Sequence, residues 1–215
     1  MRILSVFFSV FFILSANISS SMAAKQIMMD GQNLTSAMMR TYSYTEAPGG
    51  YIDFCKNHGA SCKSNQHTSK RFALTKKRWK QLVHINKFVN HKIKPVSDQD
   101  LYGKVEHWTF PKNSGDCEDY VVLKRHLLMS RGWPSGSLLI TVVRDENGDG
   151  HAILTARTSK GDFILDNKRD AVQTWNNIPY RFYKRQSALN PLVWLSLMPR
   201  RATLTRSASR RVSQR

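Results

Sequence analysis

Ser114-Gly115-Asp116-Cys117-Glu118-Asp119-Tyr120-Val121-Val122-Leu123-Lys124 is the stretch around which the 215-residue chain is best read. A small Gly/Ser turn runs into a cysteine, and an apolar run at roughly helical spacing follows. A thiol at the start of a helix meets the positive end of the macrodipole and several unpaired backbone N–H groups, and both favour thiolate. Thiolate is the form that attacks a carbonyl. A lone cysteine of this kind is more often an inert buried residue, so its partners have to be found elsewhere in the chain.

Two downstream residues qualify. His151 opens the run His151-Ala152-Ile153-Leu154-Thr155-Ala156, and Asp166 closes Phe163-Ile164-Leu165-Asp166. Both runs read as strands, so a helix-borne Cys117 is followed by a strand histidine and a next-strand aspartate. The separations, 34 (151 − 117) and 15 (166 − 151) residues, leave chain for a crossover and one hairpin. In that order the Asp would orient the imidazole, and the His would take the thiol proton and return it to the leaving amine.

Gly115-Asp116-Cys117-Glu118-Asp119-Tyr120, His151-Ala152-Ile153-Leu154 and Leu165-Asp166-Asn167 together resemble the bacterial transglutaminase-like cysteine proteinase family. That family includes the LapG-like periplasmic peptidases, which clip large surface adhesins. The similarity extends upstream through Trp79 to Pro111 and downstream to about Tyr183, and the block around Cys117 is its most specific part. Glu106 stands where the resemblance leads one to expect an aspartate two residues before Trp108. The resemblance implies an α+β fold with a papain-like or transglutaminase-like core, its nucleophile helix packed on an antiparallel β-sheet. It implies an exported cysteine endopeptidase that cuts a protein substrate, a surface adhesin in its relatives, through a Cys117-His151-Asp166 triad. An inner-membrane regulatory receptor is a partner in such systems.

Three carboxylates crowd the nucleophile. Asp116, Glu118 and Asp119 suit the first turn of a helix, yet beside a thiol they oppose thiolate formation. A cation would offset them. The resemblance implies Ca²⁺, with Asp116, Glu118 and Asp119 as oxygen ligands. The rival is pairing with lysine or arginine. No organic cofactor is expected.

Other chemistry stays open on the same residues. The triad suits an amidase or a transglutaminase-type acyl transferase equally well, because only the acceptor differs. A non-enzymatic basic module is the third reading, supported by a net charge of +18. Six arginines and no acid lie in residues 200–215, which read as a disordered tail. It either tethers the protein to an anionic surface or is simply solvated; no specific nucleic-acid partner is expected.

The organisation is expected to be simple: a signal peptide over 1–23, one transglutaminase-like peptidase domain over 24–199, and the tail. Ile3 to Ile18 is nearly all apolar or small, and Ser21-Met22-Ala23 offers a small residue for cleavage. The competing reading is a retained anchor. Export points to a periplasmic location and to a Cys55–Cys62 disulfide, leaving Cys117 as the odd thiol; the alternative leaves all three free.

Along the chain, Thr75 is positioned to cap a helix to about Ile93, with Trp79, Leu82, Val83 and Val89 on one face. Asn86 and Asn90 fall on that same face, so each should anchor a loop or line the cleft. Trp108, in a loop running from 96 to 113, forms a groove wall or plain core. The Cys helix is expected from Cys117 to about Arg131, with Lys124 snorkelling or paired with an acid. Strands follow at Leu138–Arg144, His151–Thr158 and Asp162–Asp166. Asp145-Glu146-Asn147-Gly148-Asp149-Gly150 resembles the opening of an EF-hand loop but has Ala156 at position twelve, so it reads as a hairpin turn. Residues 167–177 read as a short turn or helix, Tyr180–Tyr183 as a last strand, and Leu189–Met198 finds no assignment.

Overall fold

Residues 38–64 and 71–199 are described by a computed structural model. The expected signal peptide and the Arg-rich tail lie outside the described residues.

Strand β1 is Tyr44–Thr45, and helix α1, Gly49–Asn57, follows Pro48. Helix α2 runs from Lys76 to Lys92, and the Thr75 hydroxyl accepts the Arg78 N–H at its start. A cap of this kind stabilises a helix by about 1 kcal/mol. Leu82, Ile85, Asn86 and Val89 form its buried stripe, while Lys76, Lys77, Lys80 and Lys87 stay in water. The stretch read as loop after Pro95 holds a short helix, α3, Asp98–Tyr102, which Ser97 caps and Gly103 ends at φ 64°. Strands β2 (Lys94–Pro95) and β3 (Ser114–Gly115) make a two-residue parallel ladder that fixes the chain just before Cys117. Helix α4, Cys117–Met129, follows at once. Gly132, at φ 84°, carries the chain out of it, a conformation open to glycine at low cost.

The rest is mostly sheet: β4 (Leu138–Arg144), β5 (Gly150–Thr158), β6 (Gly161–Asp166), β7 (Arg169–Thr174), β8 (Arg181–Gln186) and β9 (Trp194–Ser196). The order is β1-β9-β8-β4-β5-β6-β7, and every pairing within this sheet is antiparallel. Residues 169–174 therefore correct the reading of a turn or helix there. They form an edge strand whose only buried residue is Val172, so its polar surface gives no strand signature. The Asp145–Gly150 segment is the hairpin turn, its Asp145 carboxylate accepting the N–H groups of Asn147 and Asp149.

One face of the sheet receives the helices. Leu82, Ile85 and Val89 of α2 and Tyr120, Val121 and Leu128 of α4 pack with Leu154, Ala156 and Leu165. Tyr51 and Phe54 of α1 join that core beside Trp108, with Tyr51 and Trp108 edge to face at 5.6 Å between ring centroids. A smaller cluster joins Val143, Ile153 and Ile164 of β4, β5 and β6 with Met39, Ile178 and Tyr180 from outside the strands. The architecture is thus α+β, a nucleophile helix on an antiparallel sheet. A disulfide links Cys55 to Cys62 and closes the corner after α1.

Candidate active site

Antiparallel pairing builds the histidine–acid pair. With Leu154 opposite Leu165, the start of β5 meets the end of β6, so His151 and Asp166 come together at one end of the sheet. His151 Nε2 lies 2.8 Å from Asp166 Oδ1, and both side chains are almost wholly buried. The same carboxylate accepts the Lys168 N–H on Oδ1 at 3.0 Å and the Tyr180 hydroxyl on Oδ2 at 2.7 Å. Burial alone would push the Asp166 pKa up. The hydrogen bond and charge of His151, with Lys168 N–H and Tyr180, outweigh it and hold the carboxyl below its ordinary value. Tyr180 also sets its ring edge-on to the imidazole, 5.7 Å between centroids.

Cys117 comes from the other layer. It opens α4, whose preceding residue Asp116 makes no side-chain cap, leaving the first N–H groups of the helix free of one. Its Sγ accepts the N–H of Ala152, the residue after His151, at 3.4 Å. That contact sets the thiol against the backbone of the residue next to His151. The Cys117 thiol in turn donates to Glu118 Oε2 at 3.0 Å. Burial raises the thiol pKa well above its ordinary value; the charge and hydrogen bond of Glu118 and the charge of Asp116 add to it, and Ala152 N–H opposes.

The acids form a second centre. Asp98, Asp116 and Glu118 each offer a carboxylate oxygen, and these atoms all lie within 4.8 Å of one another. Asp98 is wholly buried at the start of α3 and accepts the His107 N–H; its own N–H donates to Asp116 Oδ2 at 3.3 Å. Asp98 Oδ1 and Asp116 Oδ1 are buried without a hydrogen-bond partner among the described residues. Burial and the neighbouring Asp116 charge push Glu118 up to about 7, and burial, with the Asp98 charge, raises Asp116. Three crowded carboxylates with spare oxygens fit a hard divalent cation such as Ca²⁺, which takes oxygen ligands alone. Asp119, expected as a ligand, stands outside this trio. Its Oδ1 accepts Thr109 N–H at 2.8 Å, and its carboxylate lies so close to Gly115 that a Cβ there would sit 2.4 Å from Oδ2. Burial, above the opposing Thr109 bond, pushes Asp119 up to about 8.

The remaining expected residues have structural placements. Asn86 Nδ2 donates to the carbonyls of Arg169 and Asp170 at 2.8 and 3.0 Å. Asn90 Nδ2 reaches the Asp166 and Arg169 carbonyls and Asp170 Oδ1. Both asparagines thus pin the turn that carries Asp166. Trp108 is core, packed on Tyr51. Glu106 accepts Gly50 N–H at 3.0 Å, where a side chain on Gly50 would strike Trp108. Asp98 escaped the sequence reading; its one signal was Ser97 three residues before Asp100, a helix start that brings a buried acid with it.

A cysteine at a helix start, packed on the strand that carries a histidine hydrogen-bonded to an acid of the next strand, is the layout of papain-like and transglutaminase-like thiol hydrolases. Residues 41–202 match the profile of the bacterial transglutaminase-like cysteine proteinase family (BTLCP), and the chain belongs to that family of cysteine peptidases. Solved structures of Legionella pneumophila LapG are similar in outline. The EGTA-treated form is 25% identical over 54% of this chain and 66% of that one, with a TM-score of 0.47. The calcium-bound form is 20% identical over 74% of this chain and 86% of that one, with a TM-score of 0.49. The stretch matched to the EGTA-treated form thus spans just under two thirds of its length. No curated protein matches the chain significantly.

Proposed function

We propose that this protein is a cysteine endopeptidase in which Cys117 is the nucleophile, His151 the general base and then acid, and Asp166 the orienting carboxylate. The observation that carries the reading is the Ala152 N–H on Cys117 Sγ, which holds the thiol against the residue that follows the Asp166-bound His151. With Nε2 engaged by Asp166, Nδ1 is the nitrogen left to take the Cys117 proton. Sulfur then bonds to the substrate carbonyl carbon, and the carbonyl electron pair moves onto oxygen. The Cys117 N–H, at the uncapped start of α4, would receive that oxyanion. The imidazolium returns its proton to the leaving amine as the C–N bond breaks. Water, deprotonated by His151, releases the acid and regenerates the thiol.

Asp98, Asp116 and Glu118 would hold calcium. Bound there, the ion would supply positive charge against the carboxylates that now oppose thiolate formation. The disulfide between Cys55 and Cys62 supports an exported, periplasmic location, because such bonds persist in oxidising compartments. The substrate is a protein; a surface adhesin and an inner-membrane receptor remain proposals drawn from the family resemblance.

The test uses mature protein with and without calcium on a peptide library, reading new N-termini by mass spectrometry. New termini that need calcium and vanish in Cys117→Ala are expected, together with single alkylation of Cys117 by iodoacetamide. No new termini and no alkylation in calcium would overturn the reading. Products conjugated to an added amine in place of free acids would reassign the chemistry to acyl transfer. Titration calorimetry should show calcium heat that Asp98→Asn diminishes; no heat in the parent protein would remove the metal.

A further inference from the structure

Two turns at the His151 end of the sheet are tied to each other. Lys168, in the turn between β6 and β7, gives its N–H to Asp166 Oδ1 at 3.0 Å. Its ammonium reaches across to Asp145 Oδ2 at 2.5 Å, in the turn between β4 and β5. The next residue, Arg169, donates from Nη2 to Glu146 Oε1 at 2.8 Å and lies over the Tyr180 ring, 5.5 Å from its centroid. Tyr180 in turn donates to Asp166 Oδ2. Two consecutive cations that follow Asp166 thus grip two consecutive acids of the hairpin that leads into His151.

Asp145 is the firmer of the two grips. Its side chain is wholly buried, whereas that of Glu146 is 44% exposed. Asp145 Oδ1 already takes the N–H groups of Asn147 and Asp149, so its own turn fixes the carboxylate that receives Lys168. A charge-assisted bond to a fixed acceptor sets the place of its donor. The Lys168 side chain is 41% exposed, so the pair adds little to overall stability. Its consequence is geometric: one residue is anchored at Nζ on the histidine hairpin and gives its N–H to the acid that bonds the histidine.

We propose that Asp145 is a positioning residue of the catalytic pair: by clasping Lys168 it keeps the Lys168 N–H on Asp166, so the hairpin that carries His151 also fixes the acid that orients it. The proposal rests on the triad reading above. The other charges around Asp166 are Lys124 of α4, whose side chain is buried, and Asp170 of β7, which is paired with His91 of α2. The variants below leave them in place.

The experiment is an NMR titration of the His151 imidazole in full-length Cys117→Ala protein at fixed calcium, with hydrogen exchange of the residue-168 amide measured alongside. Neither reading needs substrate or proteolysis, so the outcome is separate from that of the peptidase test. Asp145→Asn keeps an oxygen for the Asn147 and Asp149 N–H groups and loses the charge that holds Lys168. Lys168→Met loses the ammonium and keeps the backbone N–H. A slackened N–H leaves the Asp166 carboxylate more basic and the imidazole bonded to it more readily protonated. Both variants should therefore raise the imidazole midpoint, by about half a pH unit, and speed exchange of the 168 amide about tenfold; Lys168→Arg should restore both. Charges acting only through space predict otherwise: removing the ammonium raises the midpoint and removing the carboxylate lowers it. Opposite shifts, an unmoved midpoint or unchanged amide protection would each overturn the proposal. Should Asp145→Asn not fold, Lys168→Met decides. A raised midpoint with faster amide exchange supports the clasp, and a raised midpoint over unchanged exchange refutes it.

Discussion

Replacing Tyr180 with phenylalanine removes a single oxygen from the site. That hydroxyl donates to Asp166 Oδ2 at 2.7 Å, while the other two donors to the carboxylate, His151 Nε2 and Lys168 N–H, are on Oδ1. The variant leaves Oδ2 of a carboxylate that is 1% exposed with no other donor among the described residues. A hydrogen bond to a buried charged acceptor is worth about 2 kcal/mol, and the phenyl ring keeps the packing on His151. For a domain of this size that loss is about 4–8 °C in Tm. The sign with pH follows from the carboxyl itself. Asp166 is held below its ordinary value in the folded protein, so its contribution is present above the unfolded pKa and is lost as pH falls through the folded one. The tyrosine bond is part of that contribution. Urea unfolding at neutral pH, at fixed calcium, should therefore show the full gap between parent and Tyr180→Phe. The gap should close as pH drops below about 4. A gap under about 0.5 kcal/mol at neutral pH, the size of an unremarkable surface change, would refute the claim that this hydroxyl holds Asp166 ionised.

Two further outcomes can be checked by the same unfolding assay. Asn86→Ala strips a fully buried donor from the Arg169 and Asp170 carbonyls and should cost about 2–3 kcal/mol, with loosened amide protection at 166–170 read by hydrogen exchange. Reducing the Cys55–Cys62 bond, which spans a separation of seven residues, should lower stability by about 2.5 kcal/mol on loop entropy, measured with and without dithiothreitol; no change would mean that the corner is held by Tyr51 and Phe54 alone.

The legible parts of this chain were those with local signatures. Cys117 followed a Gly/Ser turn and preceded an apolar run, and the hairpin after Arg144 announced itself through Asn147-Gly148-Asp149-Gly150. Thr75 marked the start of α2 because a cap is a property of adjacent residues. Asp98 was hidden because the acid cluster forms by tertiary contact. Its third carboxylate arrives from α3, eighteen residues before Asp116, and no spacing along one helix or strand connects them. β7 was hidden because an edge strand with one buried residue has no alternating pattern to read. Lys124 fell in a buried arc, where habit expects a long side chain to reach water; the helix runs too deep under the sheet for that.

The two ends of the described domain are hydrogen-bonded to each other. β1 pairs with β9, so Tyr44 lies opposite Leu195 and Thr45 opposite Trp194, about 150 residues apart in sequence. The β4–β5–β6–β7 meander, by contrast, joins strands that follow one another directly. Local hairpins close quickly and distant ladders late. During synthesis from the N-terminus, then, residues 44 and 45 have no partner until the final strand has emerged. The meander that carries His151 and Asp166 can be in place while its sheet still has an open edge, and closing that edge is the step that a lost β9 would forfeit.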